Sequence, residues 1–104
     1  MKRTYAVVWS TGDEDVVSGR LDRFGDRFEL HGRNGGVKIA FSNVKSASIA
    51  RGQADRLHGL PVLALDVGAA TPVRIASLEG TAVLHELADR LEQSGLKVAG
   101  PPAA

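Results

Sequence analysis

The apolar residues of this chain change their spacing once, and that change limits the folds open to it. Through Ala76 they alternate with polar residues, the period of strands, and turn formers punctuate the runs. Beyond Gly80 the period becomes 3.6: Leu84, Leu87, Ala88 and Leu91 fall at i, i+3, i+4 and i+7, with Glu86, Asp89, Arg90, Glu92 and Gln93 on the other face. Thr81 or Ser77 is the expected cap at the helix start, and Gly95 suits the left-handed residue that ends it. One helix of about four turns cannot form a core alone. Its apolar stripe must therefore lie on the strands or plug the end of a barrel.

Seven strands are expected. Thr4–Ser10 places Tyr5, Val7 and Trp9 on one face. Val16–Leu21 places Val17 and Leu21 opposite Arg20, and Arg23-Phe24-Gly25-Asp26 turns the chain, with Gly25 free to take positive φ. Arg27–His31 alternates Phe28 and Leu30 with Arg27, Glu29 and His31. Gly32-Arg33-Asn34-Gly35-Gly36 then reads as a hairpin turn into Val37–Phe41, which puts Val37, Ile39 and Phe41 opposite Lys38. Ser42-Asn43 makes a corner before Val44–Arg51, and Gly52–Leu60 reads as a polar loop. Pro61–Val67 and Pro72–Ala76 form a last hairpin, each proline at a strand's first residue, where no ladder donor is needed.

At 104 residues the chain is one domain, expected over 1–98 with a tail at 99–104, where Pro101 and Pro102 leave little to bury. Hydrophobic residues at 43% and charged residues at 24% exclude disordered and fibrous classes. No cysteine is present, which removes disulfides, thiolate metal sites and cysteine nucleophiles together. No apolar run approaches the roughly 18 residues of a membrane span, and no apolar stretch follows Met1-Lys2-Arg3-Thr4, so a cytoplasmic protein is expected. A net charge of +1 is too small for a nucleic-acid footprint. The charge is unevenly spread: residues 34–60 carry Lys38, Lys45, Arg51 and Arg56 against Asp55 alone. High alanine, glycine and arginine usage suggests a GC-rich bacterial source.

Several motifs resemble a known superfold. Gly19-Arg20-Leu21, then Phe28-Glu29-Leu30, then Val37-Lys38-Ile39-Ala40-Phe41-Ser42-Asn43-Val44 look like the glycine–leucine, hydrophobic doublet and corner of small bacterial pleckstrin-homology-like domains. The resemblance covers residues 4–94. It implies a mainly β fold: a seven-stranded antiparallel barrel of two nearly orthogonal sheets, closed at one end by a C-terminal helix. It also implies a binding module rather than an enzyme.

Some members of that family hold inositol phosphates with basic residues in the loop after the first strand. Here that loop is Ser10-Thr11-Gly12-Asp13-Glu14-Asp15, whose three carboxylates would repel a phosphate. Other members let a peptide pair with the edge of the fifth strand beside the helix. The corresponding stretch is Lys45-Ser46-Ala47-Ser48-Ile49-Ala50-Arg51, whose small side chains admit another backbone. Lys45, Ser46, Ser48, Ala50 and Arg51 are thus the candidate partner site. The same small residues equally suit packing beneath the helix.

No catalytic constellation stands out. Asp13, Glu14 and Asp15 match no calcium-loop spacing. His31, His58 and His85 lie on separate elements, none at i and i+4 from another, and His85 borders the helix stripe, where a hydrogen-bonded interfacial histidine is expected. No G-x-S-x-G elbow frames a serine, and the glycines at 32, 35 and 36 do not precede a helix. The expectation is a non-enzymatic module without metal or cofactor that engages a protein or peptide, self-association included. The alternative is peripheral binding to anionic lipid through Arg33, Lys38, Arg56 and His58, joined by Lys45 and Arg51.

Overall fold

The alternating stretches form one curled antiparallel sheet, and the 3.6-period stretch forms one helix against it. The computed structural model describes residues 3–11, 16–33, 35–50, 57, 59–68 and 72–96, and residues 98–99 by their backbone. The strands are β1 (Arg3–Thr11), β2 (Val17–Arg23), β3 (Arg27–Gly32), β4 (Gly35–Ala40), β5 (Ser46–Ala50), β6 (Val62–Asp66) and β7 (Val73–Ser77). The helix α1 spans Thr81–Gln93, and a two-residue strand β8 (Val98–Ala99) follows it. The strand order is β4-β3-β2-β1-β7-β6-β5-β8, antiparallel throughout except that β8 runs parallel to β5. Consecutive strands β4 and β5 thus lie far apart in the ladder, and the half-barrel has an open seam between them.

The inward face of this sheet is the one the alternation marks. Tyr5, Val7, Trp9, Leu21, Phe28, Leu30, Ile39 and Phe41 are buried with Ile49, Leu63, Leu65 and Ile75 in one cluster. Phe28 and Phe41 meet edge to face, ring centres 4.9 Å apart at 75°. Helix residues Val83, Leu84, Leu87, Ala88 and Leu91 complete that cluster, so the stripe closes the barrel. Gly95 has φ +98° and ends α1 as expected, with its N–H bonded to the Glu92 carbonyl and that of Leu96 to Leu91.

The structure departs from the sequence reading at several points. Neither Thr81 nor Ser77 caps α1: Gly80 precedes the first helical residue, and the Ser77 hydroxyl accepts the Glu79 N–H within the preceding turn. Gly25 does not adopt positive φ; its turn is closed by the Phe24 N–H to the Arg27 carbonyl, and its own carbonyl accepts from Arg90 at 2.7 Å. The corner is a 3₁₀ turn at Phe41–Asn43, which delays β5 to Ser46. Within the expected polar loop Leu57 is buried, bonded both ways to Leu60. It forms a second apolar cluster with Val8, Val62 and Ala76, so β1 is covered on both faces. β8 was not expected: two residues are too few to show a period.

Candidate functional site

β5 is the last long strand on its side of the sheet, paired to β6 from Ser46↔Asp66 to Ala50↔Val62. Ala47 and Ile49 point into the main cluster beneath α1, while Ser46, Ser48 and Ala50 alternate onto the other face. Only Ala47 of the small residues therefore serves the helix packing. Ala50 is half-buried against the second cluster, Ser48 is half-buried and Ser46 is exposed. The other edge of β5 carries β8, in register at Ala47↔Val98 and Ser48↔Ala99. An extended backbone thus already lies where the sequence reading expected a partner's. Lys45 is exposed just before β5, and Arg51 lies outside the described residues.

The basic candidates separate. Lys38 on β4 and Lys45 line a cavity of about 460 Å³ at the open seam, floored by Val37, Ile39, Val67 and Val73. Its remaining wall is the corner at Ser42 and Asn43. Arg33 faces a different and shallower hollow with Arg20 and His31, formed where β2 and β3 run close at Gly19 and Gly32. Arg56 and His58, like the acidic loop at Asp13–Asp15, lie outside the described residues.

The outer face of β1–β3 holds a charged network. Asp22 is 4% exposed; its Oδ1 accepts from the Thr4 hydroxyl at 2.7 Å, and its Oδ2 lies 3.2 Å from His31 Nε2 and 3.7 Å from Arg20 Nε. Glu29 stands 3.7 Å from the same histidine nitrogen and binds Arg27 at 2.7 Å, a charge-assisted bond that raises the guanidinium's pKa. Cross-strand register builds this group, since Thr4 faces Asp22 and Asp22 faces Glu29. Across β1 the Tyr5 hydroxyl donates to Glu86 of α1 at 3.0 Å, and burial first, then that carboxylate, raises the phenol's pKa. His85 is exposed rather than interfacial, because α1 turns Leu84, Leu87 and Ala88 inward around it. No cluster of three metal-ligating side chains occurs among the described residues.

Solved structures share this architecture. The C-terminal domain of an unknown protein from Leishmania infantum matches with a TM-score of 0.66 at 10% identity, over 86% of this chain and 82% of that one. The N-terminal PH domain of Vps36 matches with a TM-score of 0.64 at 14% identity, over 89% of this chain and 81% of its own. The fold is pleckstrin-homology-like. No protein-family model and no curated protein matches the chain.

In this pleckstrin-homology-like half-barrel the two candidate surfaces are the β5 edge and the β4–β5 seam. The sequence reading placed Lys38 and Lys45 together only within a broad anionic-lipid surface, and Lys45 also at the β5 partner site. Val67 and Val73 were read as strand residues only. The Asp22–His31 proximity was missed: the outward positions of Arg20, Glu29 and His31 were plain in the alternation, but Asp22 fell beyond the expected end of the second strand at Leu21. Their meeting depends on inter-strand register, which no single strand encodes.

Proposed function

We propose that this chain is a non-enzymatic binding module that takes an extended segment of a protein partner on β5, at Lys45, Ser46, Ser48, Ala50 and Arg51. Domains of this fold serve mainly as platforms for binding, and the fold frames the reading without identifying the partner. One observation carries the site: the edge of β5 already accepts a second backbone, the parallel pairing of Ala47 with Val98 and Ser48 with Ala99. That pairing is two residues long, so a longer segment making more ladder bonds displaces it. The small outward side chains at Ser46 and Ser48 leave that approach unobstructed.

Selection of a displayed random-peptide library on the wild-type chain tests this. Enriched peptides should shift backbone amide resonances of residues 46–50, and Ser48→Glu should weaken them about tenfold or more with unchanged circular dichroism. Peptides that perturb only other strands, or bind Ser48→Glu equally well, sink the β5 site. Light scattering across concentration separates a foreign partner from a second copy of the chain. No helix among the described residues is long and apolar enough to cross a membrane. We propose a cytoplasmic location, which imaging of a fluorescent fusion checks.

A further inference from the structure

We propose that the seam between β4 and β5 binds a single-chain amphipathic carboxylate, its hydrocarbon body on Val37, Ile39, Val67 and Val73 and its head group at Lys38 and Lys45. The inference goes beyond the peptide reading and rests on a different part of the molecule.

The first support is shape. A volume of about 460 Å³ falls among small-molecule sites, which span roughly 300–1,000 Å³ and combine an apolar lining with a few polar groups. The cavity exists because no ladder joins β4 to β5. The chain turns through Phe41–Asn43, and β5 pairs with β6 instead. Four apolar side chains from β4 and from either side of the β6–β7 connection meet there, with Val37 and Val67 half-buried.

The second support is charge. Among the described residues the lining contains two lysines and no carboxylate. Neither lysine forms an ion pair among the described residues. Glu29 faces Lys38 in register, but it is engaged by Arg27 at 2.7 Å. The Lys45 side chain runs over Gly68, beside Val67, where a methyl added at that glycine would meet its Cε at 3.4 Å. The Lys45 ammonium beside an apolar floor, with Lys38 on the alternate face of β4 at the rim, complements a molecule that is anionic at one end and greasy at the other.

The backbone adds a donor. The Phe24 N–H to Arg27 carbonyl bond and the Phe41 N–H to Asp26 carbonyl bond fix which pairs are hydrogen-bonded on either side of β3. Antiparallel alternation then points Val37 and Ile39 amides at β3 and the Lys38 amide away from it, toward the seam. A carboxylate there accepts from a backbone N–H as well as from ammonium groups.

The experiment uses the full chain and three probes held below their aggregation concentrations: decanoate, decyltrimethylammonium and acetate. Decanoate should saturate by calorimetry, with amide shifts gathered at residues 37–39, 42–45, 67 and 73; the decyl cation and acetate should show no saturable binding. Lys38→Gln and Lys45→Gln should each weaken decanoate about threefold and together about tenfold, the range of exposed ion pairs. Both lysines are exposed, so the fold should hold. Val67→Asp, a carboxylate placed at the half-buried rim, should abolish saturation. Ser48→Glu should leave decanoate affinity unchanged, which separates this site from the peptide edge. Absence of saturable decanoate binding overturns the proposal, as do equal binding of the decyl cation, shifts scattered over the surface, or an unaltered double variant.

Discussion

Tyr5 is the only tyrosine in the chain, so its ionisation can be followed without interference. It is buried on β1 and donates to Glu86 Oε2 at 3.0 Å, while Arg3 sits 3.6 Å from the same carboxylate's other oxygen. Burial is the largest cause raising its pKa above the ordinary value of about 10, and the Glu86 hydrogen bond and charge add to it. A phenol whose folded pKa exceeds its unfolded one stabilises the fold fully below the unfolded value. That contribution is lost as pH rises through the folded value. Alkaline titration of the phenolate absorbance should therefore give a midpoint above 10. Glu86→Gln should lower it without restoring the ordinary value, because burial remains. A wild-type midpoint at the value of free tyrosine would refute this account. Gly19 shows a second constraint of this size: a Cβ there would collide with the His31 carbonyl, to which Trp9 Nε1 also donates at 3.3 Å. The glycine is thus required by the close approach of β2 to β3, where the sequence offered it only as part of a pattern.

At the scale of elements, β4 is the least secured of the long strands, because only β3 pairs with it among the described residues. Its two sets of amides should behave differently. Val37 and Ile39 donate toward β3, whereas Gly36 and Lys38 face the seam. Amide hydrogen exchange should show Val37 and Ile39 protected and Gly36 and Lys38 exchanging at least tenfold faster. Uniform protection along β4 would mean that the seam is closed in solution. The strands and the helix were legible in the sequence because each carries a period long enough to read, as Leu84, Leu87, Ala88 and Leu91 do for α1. β8 was not legible, since two residues have no period and its pairing is set by where Gly95 sends the chain. Leu57 was hidden because a single apolar residue in a polar stretch has no pattern to declare it. Of the two surfaces, the small residues of β5 were visible as a run. The convergence of Lys38 and Lys45 was not, because it depends on the corner at Phe41–Asn43 and on a hairpin 20 or more residues away.

For the whole molecule, β1 decides cooperativity. Tyr5, Val7 and Trp9 on its inner face belong to the main cluster with the α1 stripe, while Val8 on its outer face belongs to the second cluster with Leu57, Val62 and Ala76. β1 also joins the two halves of the sheet, pairing with β2 on one side and β7 on the other. Neither cluster can come apart without disturbing the strand that the other needs. Unfolding should accordingly be two-state, with Trp9 fluorescence and far-ultraviolet circular dichroism following one denaturant curve. Leu87→Ala, opening a hole in the main cluster, should cost about 2–5 kcal/mol. The sharper test is Leu57→Ala, because Leu57 and Trp9 sit in different clusters. If β1 couples the clusters, this variant should lower the Trp9 midpoint and the circular dichroism midpoint equally, a loss of stability again of about 2–5 kcal/mol, with the denaturant slope preserved. If it left Trp9 fluorescence at its wild-type midpoint while the circular dichroism curve split in two, the segment around Leu57 would be a detachable flap, and β1 would be held by the barrel interior alone.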